Sequence, residues 1–365
     1  MVLERSPLRV ALVGTGAVAH LHAEGVAAFS GAELVAVADR SADAARAFAT
    51  RWAVPAVHPD LDALLAAERP DVLLICTPPS VHLAQARAAF AAGADVIVEK
   101  PPAASLDELD AMEEAAAAAG RRLAFVFQQR SGSAAAHVRG LLDSGELGRP
   151  LFATCDTLWH RDAEYYAVPW RGRWETEGGG TVLGHGIHQL DLLTHLLGDW
   201  QSVEARLWRL ARETETEDAA TATVAYANGA IAAVTVSAVS PRQKSGVRID
   251  AEHATVEVEH LYGHGHAHWR ITAAPHVDEA TAARWAALPA REVPSGHVAL
   301  LAEVLAALRD GSDLPDTATG ASRIFGLVAA LYASADADGA PVTPAGIASH
   351  PTHRASFRSR VIDRR

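Results

Sequence analysis

Apolar residues fall in short unbroken runs through the first third of the chain, at 9–13, 33–39, 71–76, 95–98 and 122–127. Runs of this length without polar alternation predict strands buried on both faces. Helical stretches separate them. One ends near residue 29, one opens at Ser41, whose hydroxyl suits an N-cap, one ends near residue 92, and one covers 105–119. Strand and helix in alternation predict a parallel sheet with helices on both sides.

The pattern changes after residue 130. Helices are expected at 134–144, 186–197, 296–308 and 318–334. Strands are expected at 151–159, 202–210, 219–227, 230–239, 247–252, 255–260 and 269–273. Asn228-Gly229, between two β-rich runs, marks a tight hairpin. The division is placed at 1–129 for an α/β domain and 130–365 for an α+β domain with a large open, mostly antiparallel sheet. From Ala219 to Pro241 there is no charged residue, although a sheet with one wet face should alternate more cleanly. The outer face is therefore expected to be covered by another copy of the chain, in a homodimer or homotetramer.

Composition narrows the classes. A length of 365 residues favours two domains, and 49% hydrophobic with 21% charged residues is an ordinary soluble balance. A net charge of -12 argues against a nucleic-acid partner, which needs clustered Lys and Arg; the arginine-rich stretch 354–365 is expected to be a solvated terminus. Residues 1–9 are too charged for a secretory signal. No apolar run approaches the roughly 18 residues that span a bilayer. A cytoplasmic location without a membrane partner is expected. The two cysteines, Cys76 and Cys155, show neither a disulfide framework nor metal-ligand spacing.

Candidate chemistry begins where the first strand ends, at Gly14-Thr15-Gly16-Ala17-Val18-Ala19. Gly14 and Gly16 permit a tight turn and close approach of backbone to a pyrophosphate, and Ala19 lets the following helix pack on the sheet. A strand before and a helix after make this the cofactor turn of a doubly wound, Rossmann-type dinucleotide-binding domain. Asp39 lies 23 residues after Gly16, where a carboxylate accepts hydrogen bonds from the adenosine ribose and repels a 2′-phosphate. That favours NAD. Arg40 beside it could bind such a phosphate or stack on adenine, which leaves NADP open. Thr77 and Pro78 form a later strand tip, where ligands of open α/β sheets bind, although a bland turn would look the same. Ala17, Val18, His82, Glu99 and Lys100 complete the expected cofactor contacts.

Lys100 ends the strand at 95–98 after Glu99 and is pinned by Pro101 and Pro102. Near a nicotinamide it can stabilise oxyanion charge on a substrate, with Glu99 holding its ammonium; a surface ion pair is the plain alternative. Farther on, Gly178-Gly179-Gly180 leads into a helix carrying His185, His188 and Asp191. His188 is a candidate general base and Asp191, three residues on, a candidate orienting or substrate-contacting group. A lone histidine on a helix would otherwise be structural. Trp159, Tyr165, Tyr166, Trp170 and Trp174 crowd into sixteen residues with Arg161 and Arg171. Aromatic faces and arginine donors suit a sugar or cyclic polyol, and are compatible with a domain or subunit contact. His260, His264, His266 and His268 sit around a Gly263/Gly265 turn, and no metal site is expected there.

Taken in order, Gly14-x-Gly16-x-x-Ala19, Thr77-Pro78-Pro79, Glu99-Lys100-Pro101 and Gly186-x-His188-x-x-Asp191 resemble the Gfo/Idh/MocA oxidoreductases over nearly the whole chain. Tyr165-Tyr166, Trp170-Arg171-Gly172 and Glu177-Gly178-Gly179-Gly180 look like members acting on sugars. The resemblance implies oxidation of a secondary alcohol, or reduction of the ketone, with NAD(P). It also implies that Lys100 contacts nicotinamide and substrate while His188 handles the substrate proton. Polyol dehydrogenases of the family commonly carry an aspartate four residues before this histidine, where this chain has Gly184. The expected function is an NAD-dependent sugar oxidoreductase. The rivals are a glycoside hydrolase working by transient oxidation and elimination, and a non-catalytic nucleotide sensor.

Overall fold

Six short strands form the first sheet of the computed structural model: β1 (Leu8–Val13), β2 (Ala32–Ala38), β3 (Ala56–His58), β4 (Val72–Ile75), β5 (Asp95–Val98) and β6 (Leu123–Phe125). All neighbours are parallel, in the order β3-β2-β1-β4-β5-β6. Strand order reverses between β1 and β4, which is where open α/β sheets bind ligands. Residues 6–363 are described. The first residues of the charged N-terminal segment and the last two of the arginine-rich tail lie outside that range.

The expected strands and helices of the first domain are present, and β3 is an addition that three residues of weak pattern did not announce. Ser41 caps its helix, accepting from Ala44 N–H at 3.3 Å. The division of the chain is not a single cut. Residues 297–320 belong with the first compact unit, together with the segment up to Ala103 and 108–128. The helix His297–Asp310 packs on Ala19–Ala27, and the approach is close: a Cβ on Gly25 would stand 2.5 Å from Leu301 Cδ1. Leu300, Leu301, Val304 and Leu305 thereby join Val10, Leu12, Leu74 and Ile97 in one apolar core.

The second unit is built on seven strands: β7 (Pro150–His160), β8 (Trp200–Trp208), β9 (Ala219–Tyr226), β10 (Ile231–Ser237), β11 (Val239–Ala251), β12 (Ala254–His260) and β13 (Trp269–Ala273). Their order is β13-β12-β11-β7-β10-β9-β8. Only β7 and β10 are parallel neighbours; every other pair is antiparallel. Asn228-Gly229 makes the β9–β10 turn, with Gly229 at φ +91°. Inward residues such as Cys155, Val224, Val234 and Val247 are buried, and the helices Ile187–Leu197 and Ala321–Asp336 pack on the sheet. The opposite face of the charge-free stretch carries exposed Thr221, Thr223, Ile231 and Ala233, and Ile231 pairs with exposed Phe152 on β7.

Candidate active site

Gly14 closes β1 at φ +88°, and a Cβ there would lie 2.8 Å from the Cys76 carbonyl oxygen, so only glycine fits the turn. Gly16 and Ala17 are exposed, Val18 is half-buried, and a Cβ on Gly16 would meet nothing within 4 Å. The helix Ala19–Ala27 begins without a side-chain cap and without an acid in its first turn, which leaves its positive end for an anion. These features fit a dinucleotide pyrophosphate. Half-buried Asp39 braces the same turn: Oδ2 accepts the Thr15 N–H at 2.7 Å and its hydroxyl at 3.0 Å, and Oδ1 accepts the Ser41 N–H at 2.8 Å. Arg40 beside it is exposed.

The later strand tips are tied together. Thr77 donates its hydroxyl to Gln85 Oε1 at 2.6 Å, and Pro78 is half-buried beside it. His82 is fully buried, with Nε2 2.7 Å from the Thr77 carbonyl and Nδ1 3.1 Å from that of Pro102. Burial holds its imidazole below the ordinary value, against the pull of those carbonyls. His82 thus clips the loop after β4 to the loop after β5. Glu99 is buried, and the Lys100 N–H donates to its Oε2 at 2.9 Å. Its Oε1 lies 2.9 Å from His22 Nε2 and 2.7 Å from His297 Nε2. Burial pushes the carboxyl up, but these two hydrogen bonds outweigh it and hold Glu99 well below the usual range. Lys100 itself is half-buried, and its peptide to Pro101 is cis.

In the second unit the glycine run ends in a π-helical turn, Val182–Gly186, directly before the helix Ile187–Leu197. His188, near the start of that helix, is 2% exposed, with its ring edge-on to Tyr262 at 5.5 Å. The rings of His185 and His188 both lie against Trp159, that of His188 at 6.2 Å. His185 Nε2 accepts the Arg161 Nε–H at 3.0 Å and lies 3.1 Å from the Tyr165 hydroxyl. Its ring is edge-on to Trp159 at 5.0 Å. The Arg171 guanidinium lies over Tyr165 at 3.8 Å and over Trp170 at 4.5 Å. Tyr166 stands edge-on to Tyr165 at 5.0 Å. Trp174 is buried against Tyr332 and is part of the core rather than of an accessible face. Asp191 is gripped side-on by Arg130, which donates from Nε at 2.7 Å and also from Nη2. Burial pushes the Asp191 carboxyl up while Arg130 pulls it down.

Sequence reasoning missed Arg130, His22, His297 and Glu217, and named Glu177 only as part of the glycine motif. Glu177 is buried, accepts the Gly172 N–H at 2.6 Å, and brings Oε1 to 3.5 Å from where a Gly184 Cβ would stand. A carboxylate therefore lies beside position 184 although residue 184 has none. Glu217 accepts from the Tyr332 hydroxyl at 2.7 Å and from Val182 N–H at 2.9 Å. Burial, with the nearby Glu177 charge, pushes it up to about 7. The acidic run around residue 217 hid it, because nothing local marks one acid among several as buried. Of the four tempting histidines, His260 and His264 are buried and His264 is fixed by the Gln129 carbonyl and the Trp269 indole.

Two sequence profiles of a single family match this chain. Residues 8–127 match the oxidoreductase family with an NAD-binding Rossmann fold, and residues 135–257 match the GFO/IDH/MocA C-terminal domain. The chain belongs to the Gfo/Idh/MocA oxidoreductase family. It is 34% identical over 197 residues to D-glucoside 3-dehydrogenase of Escherichia coli (strain K12), covering 53% of this chain and 55% of that protein. It is 26% identical to D-apiose dehydrogenase of Paraburkholderia graminis over 89% of this chain and 87% of that one. The chain spans about half the length of the first curated relatives it matches. A solved structure, the WlbA dehydrogenase from Bordetella pertussis in complex with NADH and UDP-GlcNAcA, superposes with a TM-score of 0.82. It is 28% identical, and the match covers 93% of this chain and 98% of that chain.

Proposed function

We propose that this protein is an NAD-dependent oxidoreductase acting on a secondary alcohol or ketone carbon of a sugar or sugar derivative. The observation that carries the reading is the first unit's construction. A glycine turn opens toward an uncapped helix start, and a lysine is fixed two strands away in the same sheet by its bond to a buried carboxylate. Gly14, Gly16, Ala17 and Val18 would hold the pyrophosphate, and Asp39 the adenosine ribose. NAD, when bound, supplies the hydride acceptor. Lys100 stabilises the developing alkoxide, and His188 takes the hydroxyl proton as general base.

The sugar assignment is supported by Arg171 stacked on Tyr165 and Trp170, and by the names of the relatives. Charge-free, partly apolar strands on the open face of the second sheet support a homodimer or homotetramer. Among the described residues no helix is long and apolar enough to cross a membrane.

The deciding experiment is a panel of sugars, inositols and glycosides followed by NADH and NADPH absorbance, on wild type, Lys100→Ala and His188→Ala. Each variant should lose at least about 100-fold in kcat while keeping its fold. Unchanged turnover in both would sink the mechanism. Release of an aglycone without net NADH would instead indicate oxidation and elimination.

A further inference from the structure

Glu99 is the meeting point of three elements of the first unit. His22 stands in the helix that the cofactor turn opens. His297 begins a helix that returns from almost 200 residues later, and Lys100 is the next residue along the chain. The three side chains of the cluster are at most 4% exposed. Both imidazoles reach Oε1, and the other oxygen takes the Lys100 main-chain N–H.

We infer that His22, Glu99 and His297 form a buried positioning relay that fixes the main chain of Lys100 relative to the cofactor turn. The inference rests on the reading of Lys100 as the group that stabilises the oxyanion. Burying a carboxylate is an expensive way to join two helices that Leu and Val already pack together. What the carboxylate adds is a fixed acceptor for one N–H, at the residue whose side chain is to act.

Hydrogen-bond chemistry accounts for the cluster better than a metal ion does. Ligand atoms on a tetrahedral ion with bonds of about 2.0–2.1 Å stand roughly 3.3 Å apart. Here the nitrogen–oxygen separations are 2.9 and 2.7 Å. His22 Nδ1 has no hydrogen-bond partner, which a neutral ring donating from Nε2 tolerates and an imidazolium would not. The negative charge therefore stays on Glu99, where it orders the backbone. His22 and His297 are positioning residues, because neither has to touch substrate for this role.

The test compares His22→Leu and His297→Leu with His22→Gln and His297→Gln, whose amide nitrogens can still donate to Glu99. Amide exchange of Lys100 reads the relay directly, and Pro101 and Pro102 contribute no N–H to obscure it in a short peptide. Leucine variants should exchange at Lys100 at least tenfold faster and lose at least tenfold in kcat, with NADH affinity within threefold of wild type. Glutamine variants should recover most of both. If the leucine variants do not fold, asparagine, too short to reach Glu99, takes their place. Wild-type exchange and turnover in the leucine (or asparagine) variants would overturn the relay. So would one zinc per chain retained through chelator dialysis, which would make the cluster a metal site. Should the wild type move no hydride on any substrate, the proposed activity fails while the exchange measurement still decides the relay.

Discussion

Glu99 and Glu217 are the same residue type, both buried, yet their surroundings drive them in opposite directions. Glu99 has a donor set on both oxygens, two imidazoles on one and a main-chain N–H on the other, and stays ionised. Glu217 receives the Tyr332 hydroxyl and the Val182 N–H on Oε1, while its other oxygen has no partner and the charge of Glu177 lies nearby. Burial alone raises a carboxyl; the arrangement of donors and like charges decides whether it stays raised. The first unit uses a buried charge to fix its main chain. The second keeps an acid close to neutrality beside the glycine run that leads to His188.

A third buried carboxylate extends the comparison and gives the largest expected effect. Asp191 takes two nitrogens of one guanidinium, so Arg130→Met should cost about 3–5 kcal/mol by leaving the acid unpaired. Urea unfolding of the variant measures it, and a loss below about 1 kcal/mol would mean that Arg130 is replaceable by solvent. Glu99→Gln, which leaves one acceptor oxygen for donors that now meet two, should cost about 2 kcal/mol near neutral pH. Because the Glu99 carboxyl is depressed in the folded state, its contribution is present above the ordinary carboxylate range and lost as pH falls. The gap between wild type and Glu99→Gln should therefore narrow in acid, as thermal melts across pH 3–7 would reveal.

Glu217 predicts the reverse slope. Raised from 4.5 to about 7, it binds its proton more tightly in the folded protein than in the unfolded chain. Stability should thus fall as pH rises between those values, by about 1.4 kcal/mol for each unit of the difference. Glu217→Gln should flatten that portion of the profile, and an unaltered slope would refute the assignment. The smallest effect belongs to Glu177→Gln. Removing the neighbouring charge should move the Glu217 transition toward lower pH by less than one unit, since burial is the larger cause.

Much of the fold was legible in local pattern. Unbroken apolar strands predicted the parallel sheet, Asn228-Gly229 predicted the β9–β10 hairpin, and Gly14 marked a turn that no other residue fits. β3 was too short to stand out, and the parallel pairing of β7 with β10 depends on strands some eighty residues apart. The candidate site divided in the same way. Lys100 and His188 stood beside glycine- and proline-rich punctuation that a sequence displays openly. Glu99 was expected to hold the Lys100 ammonium and to contact the cofactor, whereas its oxygens take two histidines and the Lys100 main-chain N–H. Asp191, read as an orienting or substrate group, proved to be bound by Arg130.

The sequence by itself determined most of the elements, the glycine turn after β1 and the residue types available for chemistry, because strand burial, glycine turns and helix starts depend on neighbours a few positions away. Tertiary structure alone decided which groups keep their charge. That choice is set by donors and like charges converging in space, and the chain brings His297 to Glu99 across 198 residues.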